Sequence, residues 1–397
     1  MNTINDSSFP MEVPESSKSG EQRLRLHYLD GLRGLVSLYV VIYHIDIDEY
    51  IGEDNIIGKI FDYGDFAVAI FIVLSGYVLM LPVTRSQSGY LSEGLWNYIQ
   101  RRARRILPPY YAALIFSILV AAIILGLIKI FNFQWHKLAE DEIFKPFFSP
   151  IDLITHLLLI QNFTSDTVES IDAPMWSIAV EWQIYFIFPL LLLPIWRRFG
   201  LFSTVIATFL ISSIPFYLWN TLIGPVHTWF IGLFALGMTA ADIGFSQKPK
   251  LLAIRKSFPW SLFAIIFFII ALITNKQILE TWIYDYICGL TAACVLIYCT
   301  KCVNEGKKSL ILQLFEAPWA IALGAFSYSL YLTHAVIITV LGHFLLNFQM
   351  SPVKFISILC VVALPLSLVI AYLFYLIFEK PFLSNFLKKR KVKDAVN

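Results

Sequence analysis

Ten apolar stretches run through this chain, at roughly 29–48, 64–83, 107–128, 174–196, 201–219, 226–243, 258–274, 281–300, 319–346 and 353–378. An α-helix needs ~20 mainly apolar residues to cross a bilayer. Backbone in hydrocarbon must satisfy its own N–H and C=O groups, so each stretch is expected to be helical. Of the 397 residues, 58% are hydrophobic and 15% charged, against about 25% charged in soluble domains. A soluble core cannot hide that much apolar surface. The expected fold is all-α: a polytopic membrane bundle of about ten transmembrane helices, both termini cytoplasmic. No internal repeat of about 20–50 residues is visible, which excludes a solenoid.

Lys and Arg set the orientation, because cytoplasmic loops carry the excess. With the N-terminus inside, the inner segments hold 23 Lys and Arg and the outer loops six, namely Lys59, Lys129, Lys137, Lys145, Lys276 and Lys354. Acidic residues such as Asp46, Asp48, Glu49, Glu53 and Asp54 fill an outer loop. Residues 1–26 are polar with no apolar signal core and read as a disordered cytoplasmic tail. The transmembrane domain is expected at 27–380, and 381–397 as a basic cytoplasmic tail. Residues 151–163 are apolar but short, suiting a re-entrant or interfacial segment. The five cysteines lie in or beside late apolar stretches and form no disulfide framework. Cys299 and Cys302 make a CxxC with no further ligand nearby, so no metal is expected.

Ionisable residues inside the spans carry the functional signal, since they are expensive in lipid and need partners or a ligand. Arg33 and His44 are eleven residues apart. Eleven helical steps bring both onto one face, about 16 Å apart along the axis. Asp30 and Ser37 share that stripe. Helical depth puts Arg33 near the inner face, His44 and Glu181 in the outer half, Asp285 near an outer end and His334 near mid-membrane. Each alone could be a polar group satisfied by a neighbouring helix; five at compatible depths point to a site.

Four further segments add to it. Arg101-Arg102-Ala103-Arg104-Arg105 precedes Pro108-Pro109. A bare arginine run is an ordinary topology anchor, yet Arg102 and Arg105 face one way, and forked guanidinium groups suit phosphates. The proline pair would set the angle of the following helix. Ser177, Glu181 and Tyr185 recur at i, i+4, i+8 beside Trp176 and Trp182, a polar stripe on an apolar helix. Ser327, Tyr331 and His334 form a second stripe, and His334 competes with His44 for a base role. Ser75-Gly76 reads as a small pair for close packing. His27, His136, His156, His227 and His343 read as ordinary. A transporter or flippase of a lipid-linked sugar would also suit midplane charges, but no inverted repeat is visible.

Together these segments resemble the acyltransferase 3 family of membrane O-acyltransferases, which includes O-antigen and nodulation-factor acetylases. Tyr28 to Gly34 with His44 is similar to the opening signature, Arg102 and Arg105 to its RxxR element, and Phe71 to Gly76 to its FFxxSG element with Ile72 replacing the second Phe. Trp176, Ser177 and Glu181 match WSxxxE. Ser327 to His334 resembles SYxxYLxH, and Glu379-Lys380-Pro381 the closing element. The resemblance implies acyl transfer, usually of acetyl from acetyl-CoA as donor, to a carbohydrate hydroxyl at a bacterial inner membrane. The partners it implies are acyl-CoA, a carbohydrate acceptor and membrane lipid, with no nucleic acid and no metal. It implies catalytic roles for His44, Arg33, Glu181 and His334, and donor binding by Arg102, Arg105 and Arg33. Substrate contacts are expected from Asp30, Ser177, Tyr185, Tyr331 and Asp285. Either direct transfer with His44 as base or an acetyl-histidine intermediate is compatible with the sequence.

Overall fold

The computed structural model describes residues 26–45, 63–86, 89–91, 94–135, 143–274, 278–348 and 350–383. The acidic loop at 46–54, His136, and nearly all of both expected tails lie outside the described residues. Among the described residues the protein is all-α, with one isolated β-bridge between Phe144 and Asp172. The helices are α1 (His27–Tyr43), α2 (Gly64–Ser86), α3 (Gly94–Phe131), α4 (Pro150–Leu158), α5 (Met175–Ile187), α6 (Leu193–Ile223) and α7 (Phe230–Phe245). They continue with α8 (Pro249–Ser257), α9 (Trp260–Ile273), α10 (Thr281–Asn304), α11 (Leu310–Phe315), α12 (Pro318–Ala325), α13 (Ser327–Leu346) and α14 (Pro352–Phe374). Among the described residues six helical stretches are long and apolar enough to cross a membrane, and the bent pair α7–α8 makes a seventh if counted as one span. This is a multi-pass membrane protein. Large apolar residues such as Ile115, Leu119 and Ile123 on α3 are exposed, as a lipid-facing surface requires.

The stretch from Met175 to Ile214 is helical throughout, but it is not one rod. Gly200 has φ +80°, which a continuing right-handed helix cannot hold. The contacts on either side show the reversal. Trp176, 20 residues before Trp196, stacks on His227; Ser212, 16 residues after it, accepts at its carbonyl from the Thr228 hydroxyl at 2.7 Å. Both limbs therefore reach the 227–230 corner, while Trp196 bonds Asp242 at the other end of α7 at 2.9 Å. The expected break between 196 and 201 falls there.

The proline pair, expected to set the angle of the helix that follows it, lies instead inside one continuous helix: α3 runs through both prolines. Their missing N–H groups cost two ladder bonds, and contacts from other helices flank the site. The Tyr328 hydroxyl donates to the Ile106 carbonyl at 3.2 Å, while Tyr110 and Tyr111 donate to His156 and Leu157 carbonyls on α4 at 3.0 and 2.8 Å. Thus α4 lies alongside the turn of α3 just beyond the arginines.

Two close approaches hold the bundle's centre. Helices α2 and α7 pack along their length, and a Cβ at Gly76 or Gly237 would collide with the backbone carbonyl of Phe234 or Val73 respectively. At the arginine-rich end, the Tyr28, Tyr77 and Thr300 hydroxyls form a buried triangle of 2.8, 3.0 and 2.6 Å that ties α1, α2 and α10 together. Gly76→Ala and Gly237→Ala should each destabilise the solubilised protein by about 1–3 kcal/mol, the usual cost of overpacking. Thermal unfolding in detergent reads this as a lower Tm, whereas Gly126→Ala, in open space, should leave it unchanged.

The lobe between α3 and α5 is pinned by a buried carboxyl. Asp172 accepts from the Ser117 hydroxyl at 3.0 Å. Burial pushes the Asp172 carboxyl up to about 7, against the opposing effect of that hydroxyl. The folded state therefore holds this proton more tightly than the unfolded chain. Its contribution to stability is complete at acid pH and is lost as pH rises from about 4 to 7, by up to roughly 1.4 kcal/mol per unit. Unfolding measured from pH 5 to 8 should show falling stability in the natural protein and a flatter profile in Asp172→Asn.

Candidate active site

Five helices surround one elongated cavity of about 90 Å³. Arg33 enters from α1; Arg102, Arg105 and Ile106 from α3; Ser177, Ile178, Glu181 and Tyr185 from α5; and Ser327, Tyr328 and Tyr331 from α13. Helix α2 lines its length with Val68, Phe71, Ile72, Ser75, Val78 and Leu79. At 1.5 Å per residue, Val68 to Leu79 spans about 16 Å. Helical register sorts this lining into two ends, with the three arginines at one and Val68, Phe71, Ser177 and Tyr331 at the other.

The cationic end has carboxylates within electrostatic reach but not in contact: Asp30 and Glu181 act on Arg33, and Glu379 on Arg33 and Arg105. Among the described residues, none of the guanidinium groups of Arg33, Arg102 and Arg105 has a carboxylate at ion-pair distance. The Nε of Arg102 is buried without a hydrogen-bond partner. Aromatic faces support it: its guanidinium carbon lies 6.0 Å from the Tyr98 ring and 5.9 Å from the Tyr185 ring. Tyr98 in turn donates to the Tyr185 carbonyl at 3.1 Å, so α3 and α5 are joined where the arginines project. Guanidinium donors lining a cavity without a carboxylate at ion-pair distance suit an anionic ligand with several oxygens.

Glu181 occupies the middle. Its Oε1 accepts from Tyr185, one turn further along α5, at 2.5 Å and from Ser75 of α2. The i, i+4 stripe is thus real, but its carboxylate orients a serine and a tyrosine. Among the described residues neither Glu181 nor Asp30 bonds His44, so neither carboxylate orients that imidazole.

The far end is closed by Tyr331. Its hydroxyl lies 2.7 Å from that of Ser177, and both sit beside the Pro174 carbonyl, at 3.2 and 3.1 Å. This clasp joins the start of α5 to α13. Beyond Tyr331 come the two histidines, outside the cavity lining. His334 lies 5.8 Å from the Tyr331 ring and 5.1 Å from the His44 ring, between centroids. His334 Nδ1 faces the carbonyls of Tyr331 and Leu330, at 2.7 and 3.2 Å. Carbonyls only accept, so Nδ1 carries the proton and Nε2 keeps its lone pair. That Nε2 is buried with no described partner. His44 is the residue at which α1 ends, its N–H bonded to the Val40 carbonyl at 3.1 Å. The two histidines that sequence set in competition are neighbours.

Two expected substrate residues lie elsewhere. Asp285 accepts from Trp229 Nε1 at 2.7 Å and is buried, a structural tie between α10 and the start of α7. Asp30 is not among the cavity-lining residues; its carbonyl lies against Gly324 where α1 crosses α12. Conversely, Ser75, Tyr328 and Glu379, visible in the sequence only as members of motifs, acquire their partners in three dimensions. The Glu379 carboxylate accepts from the backbone N–H and the hydroxyl of Ser329, at 3.2 and 2.6 Å. Phe326, the residue before α13, offers no side-chain cap. Glu379 therefore satisfies a first-turn N–H of α13 from a different helix and sets the register of Tyr328, Tyr331 and His334. It is also within electrostatic reach of Arg105 and Arg33.

A multi-pass membrane bundle with an anion-ready cavity leading to a histidine pair is the class this structure defines. The chain belongs to the acyltransferase 3 family, described as "Acyltransferase domain", which it matches over residues 26–376. It is 24% identical over 379 residues to a Staphylococcus aureus protein named "Putative O-acetyltransferase", covering 89% of this chain and 56% of that protein. It is 30% identical over 165 residues to "Putative peptidoglycan O-acetyltransferase YrhL" of Bacillus subtilis, covering 41% and 23% of the two chains. The acyltransferase MdmB of Streptomyces mycarofaciens is 27% identical over 172 residues, 42% of this chain and 39% of that one. The chain thus spans about half the length of the Staphylococcus relative. No solved structure matches it.

Removing the Glu379 cap should loosen the first turn of α13. Glu379→Ala is expected to cost about 1–2 kcal/mol, as loss of a helix cap does, and Glu379→Gln less, because an amide oxygen still accepts. Hydrogen exchange at residues 327–331 should rise in the alanine variant.

Proposed function

We propose that this chain is an integral membrane O-acyltransferase that moves an acetyl group from acetyl-CoA to a carbohydrate hydroxyl at a bacterial inner membrane. Family membership and the names of the relatives support the acyl-transfer chemistry. The proposed topology has ten crossings with both ends cytoplasmic, which puts the arginine end on the side where acyl-CoA is made. The observation that carries the reading is the cavity itself. Three guanidinium groups with no carboxylate at ion-pair distance among the described residues line one end, and its other end stops one helical turn short of two neighbouring imidazoles.

In this reading Arg102 and Arg105, helped by Arg33, hold the phosphates of the donor. Bidentate guanidinium contacts fit phosphate geometry and would offset the cost of cations at this depth. The donor's thin arm lies along α2 between Ser75 and Phe71. Glu181 keeps Ser75 and Tyr185 in place along it. The thioester then sits under Tyr331 and Ser177. His44 takes the proton of the acceptor hydroxyl, and His334, with a free Nε2 lone pair in ring contact, shares that role. The hydroxyl oxygen adds to the thioester carbon, the C–S bond breaks, and the proton leaves on the CoA thiol. General-base assistance of this kind is worth about 10²–10⁴-fold. Asp30 and Asp285, off the cavity, have no part in it.

The test is acetyl transfer from radiolabelled acetyl-CoA to glycan in membranes carrying the full chain. His44→Ala should lower transfer by at least about 10²-fold while purified protein keeps its Tm and its acetyl-CoA affinity. Arg102→Ala with Arg105→Ala should weaken acetyl-CoA binding by about tenfold or more. Undiminished transfer by His44→Ala would remove that residue from the chemistry. Undiminished binding by the arginine variant would reduce the pair to a topology anchor.

A further inference from the structure

We propose that Phe71, together with Val68 one turn before it, is the gauge that sets the length of the transferred acyl chain. This rests on the donor-binding reading above. The cavity is graded: cations at one end, Glu181 and Ser75 midway, and an apolar far end formed by Val68, Phe71, Ile72 and Ile178 under Tyr331. A donor held by its phosphates at the arginines must present its acyl group at that far end.

Two rings close it, and they are held differently. Tyr331 is immobilised by hydrogen bonds at Ser177 and Pro174. Its ring meets Phe71 edge-on, with centroids 5.9 Å apart and planes at 76°. Phe71 is half-buried and held by packing alone. Behind Tyr331 stands His334. Each methylene added beyond the acyl carbonyl must therefore push against Phe71 or displace the clasped tyrosine from the histidine pair. The whole cavity measures only about 90 Å³, so room for two or three extra methylenes depends on its apolar walls, and of the two rings that close it Phe71 is the one that no hydrogen bond secures. Substituting Phe71 removes that wall and leaves the arginines, the histidines and the hydrogen bonds of the clasp in place.

The experiment measures affinities of the purified full-length chain for CoA, acetyl-CoA and butyryl-CoA. Natural protein should prefer acetyl-CoA to butyryl-CoA. Phe71→Ala should move the butyryl-to-acetyl affinity ratio toward butyryl by about tenfold, the size expected when two methylenes gain an apolar site. Val68→Phe should move it the other way, and it keeps the proposal testable should Phe71→Ala fold poorly. Affinity for unacylated CoA should stay the same in all three. Ratios unchanged in both variants, or a change that affects CoA and both thioesters alike, would overturn the gauge while leaving donor binding intact. Failure of the natural protein to bind any of the three would overturn the gauge and the donor reading together.

Discussion

Positive charge inside a low-dielectric bundle is the constraint around which this protein is arranged. A guanidinium group in hydrocarbon is costly unless paired or solvated, and an ordinary bundle would place a carboxylate beside each. Here the carboxylates within electrostatic reach stand off from the guanidinium groups: Glu181 bonds Ser75 and Tyr185, Glu379 bonds Ser329, and Asp30 is off the cavity. Tyr98 and Tyr185 give Arg102 only the weak attraction of ring faces. The surrounding structure holds the three cations close together and leaves their charge for something from outside.

The rest of the bundle keeps that cluster rigid. Helix α1, which carries Arg33, is tied at its first turn by the Tyr28, Tyr77 and Thr300 triangle. Helix α2 is seated against α7 through Gly76 and Gly237, so Ser75 and Phe71 face the cavity at set heights. Helix α5 is tied near its start by the Ser177–Tyr331 clasp and further along by Tyr98. These ties exploit an advantage peculiar to membrane helices. With no water to compete, hydroxyl-to-carbonyl bonds such as Tyr110 to His156 join elements that apolar surface alone would not register.

Much of this was legible in the sequence, for identifiable reasons. Apolar runs in a bilayer have helices as nearly their sole outcome, so the all-α bundle followed from composition. Arg102 with Arg105, and Ser177 with Glu181 and Tyr185, face one cavity because i, i+3 and i, i+4 spacing fixes a helix face whatever surrounds it. What could not be read were pairings between distant positions. Ser75 meets Glu181 from 106 residues away, and Ser329 meets Glu379 from 50. Ser75 looked like a packing residue because its partner was not visible, and Asp285 looked like a substrate residue because Trp229 was not. The helix through Pro108-Pro109 misled for a related reason: local chemistry favours a break there, and long-range contacts from Tyr328 and α4 brace the continuous form.

The carboxylate of Glu379 has one more consequence, for the birth of the protein. A chain threaded into the membrane from its N-terminus makes Arg33, Arg102, Glu181 and His334 long before it makes residue 379. Until the segment carrying Glu379 docks, the opening turn of α13 has a bare amide at Ser329 and is braced through the Tyr328 and Tyr331 hydroxyls. The register of Tyr328, Tyr331 and His334 is therefore secured late, after the helices that carry Arg33, Arg102 and Glu181 have already been made.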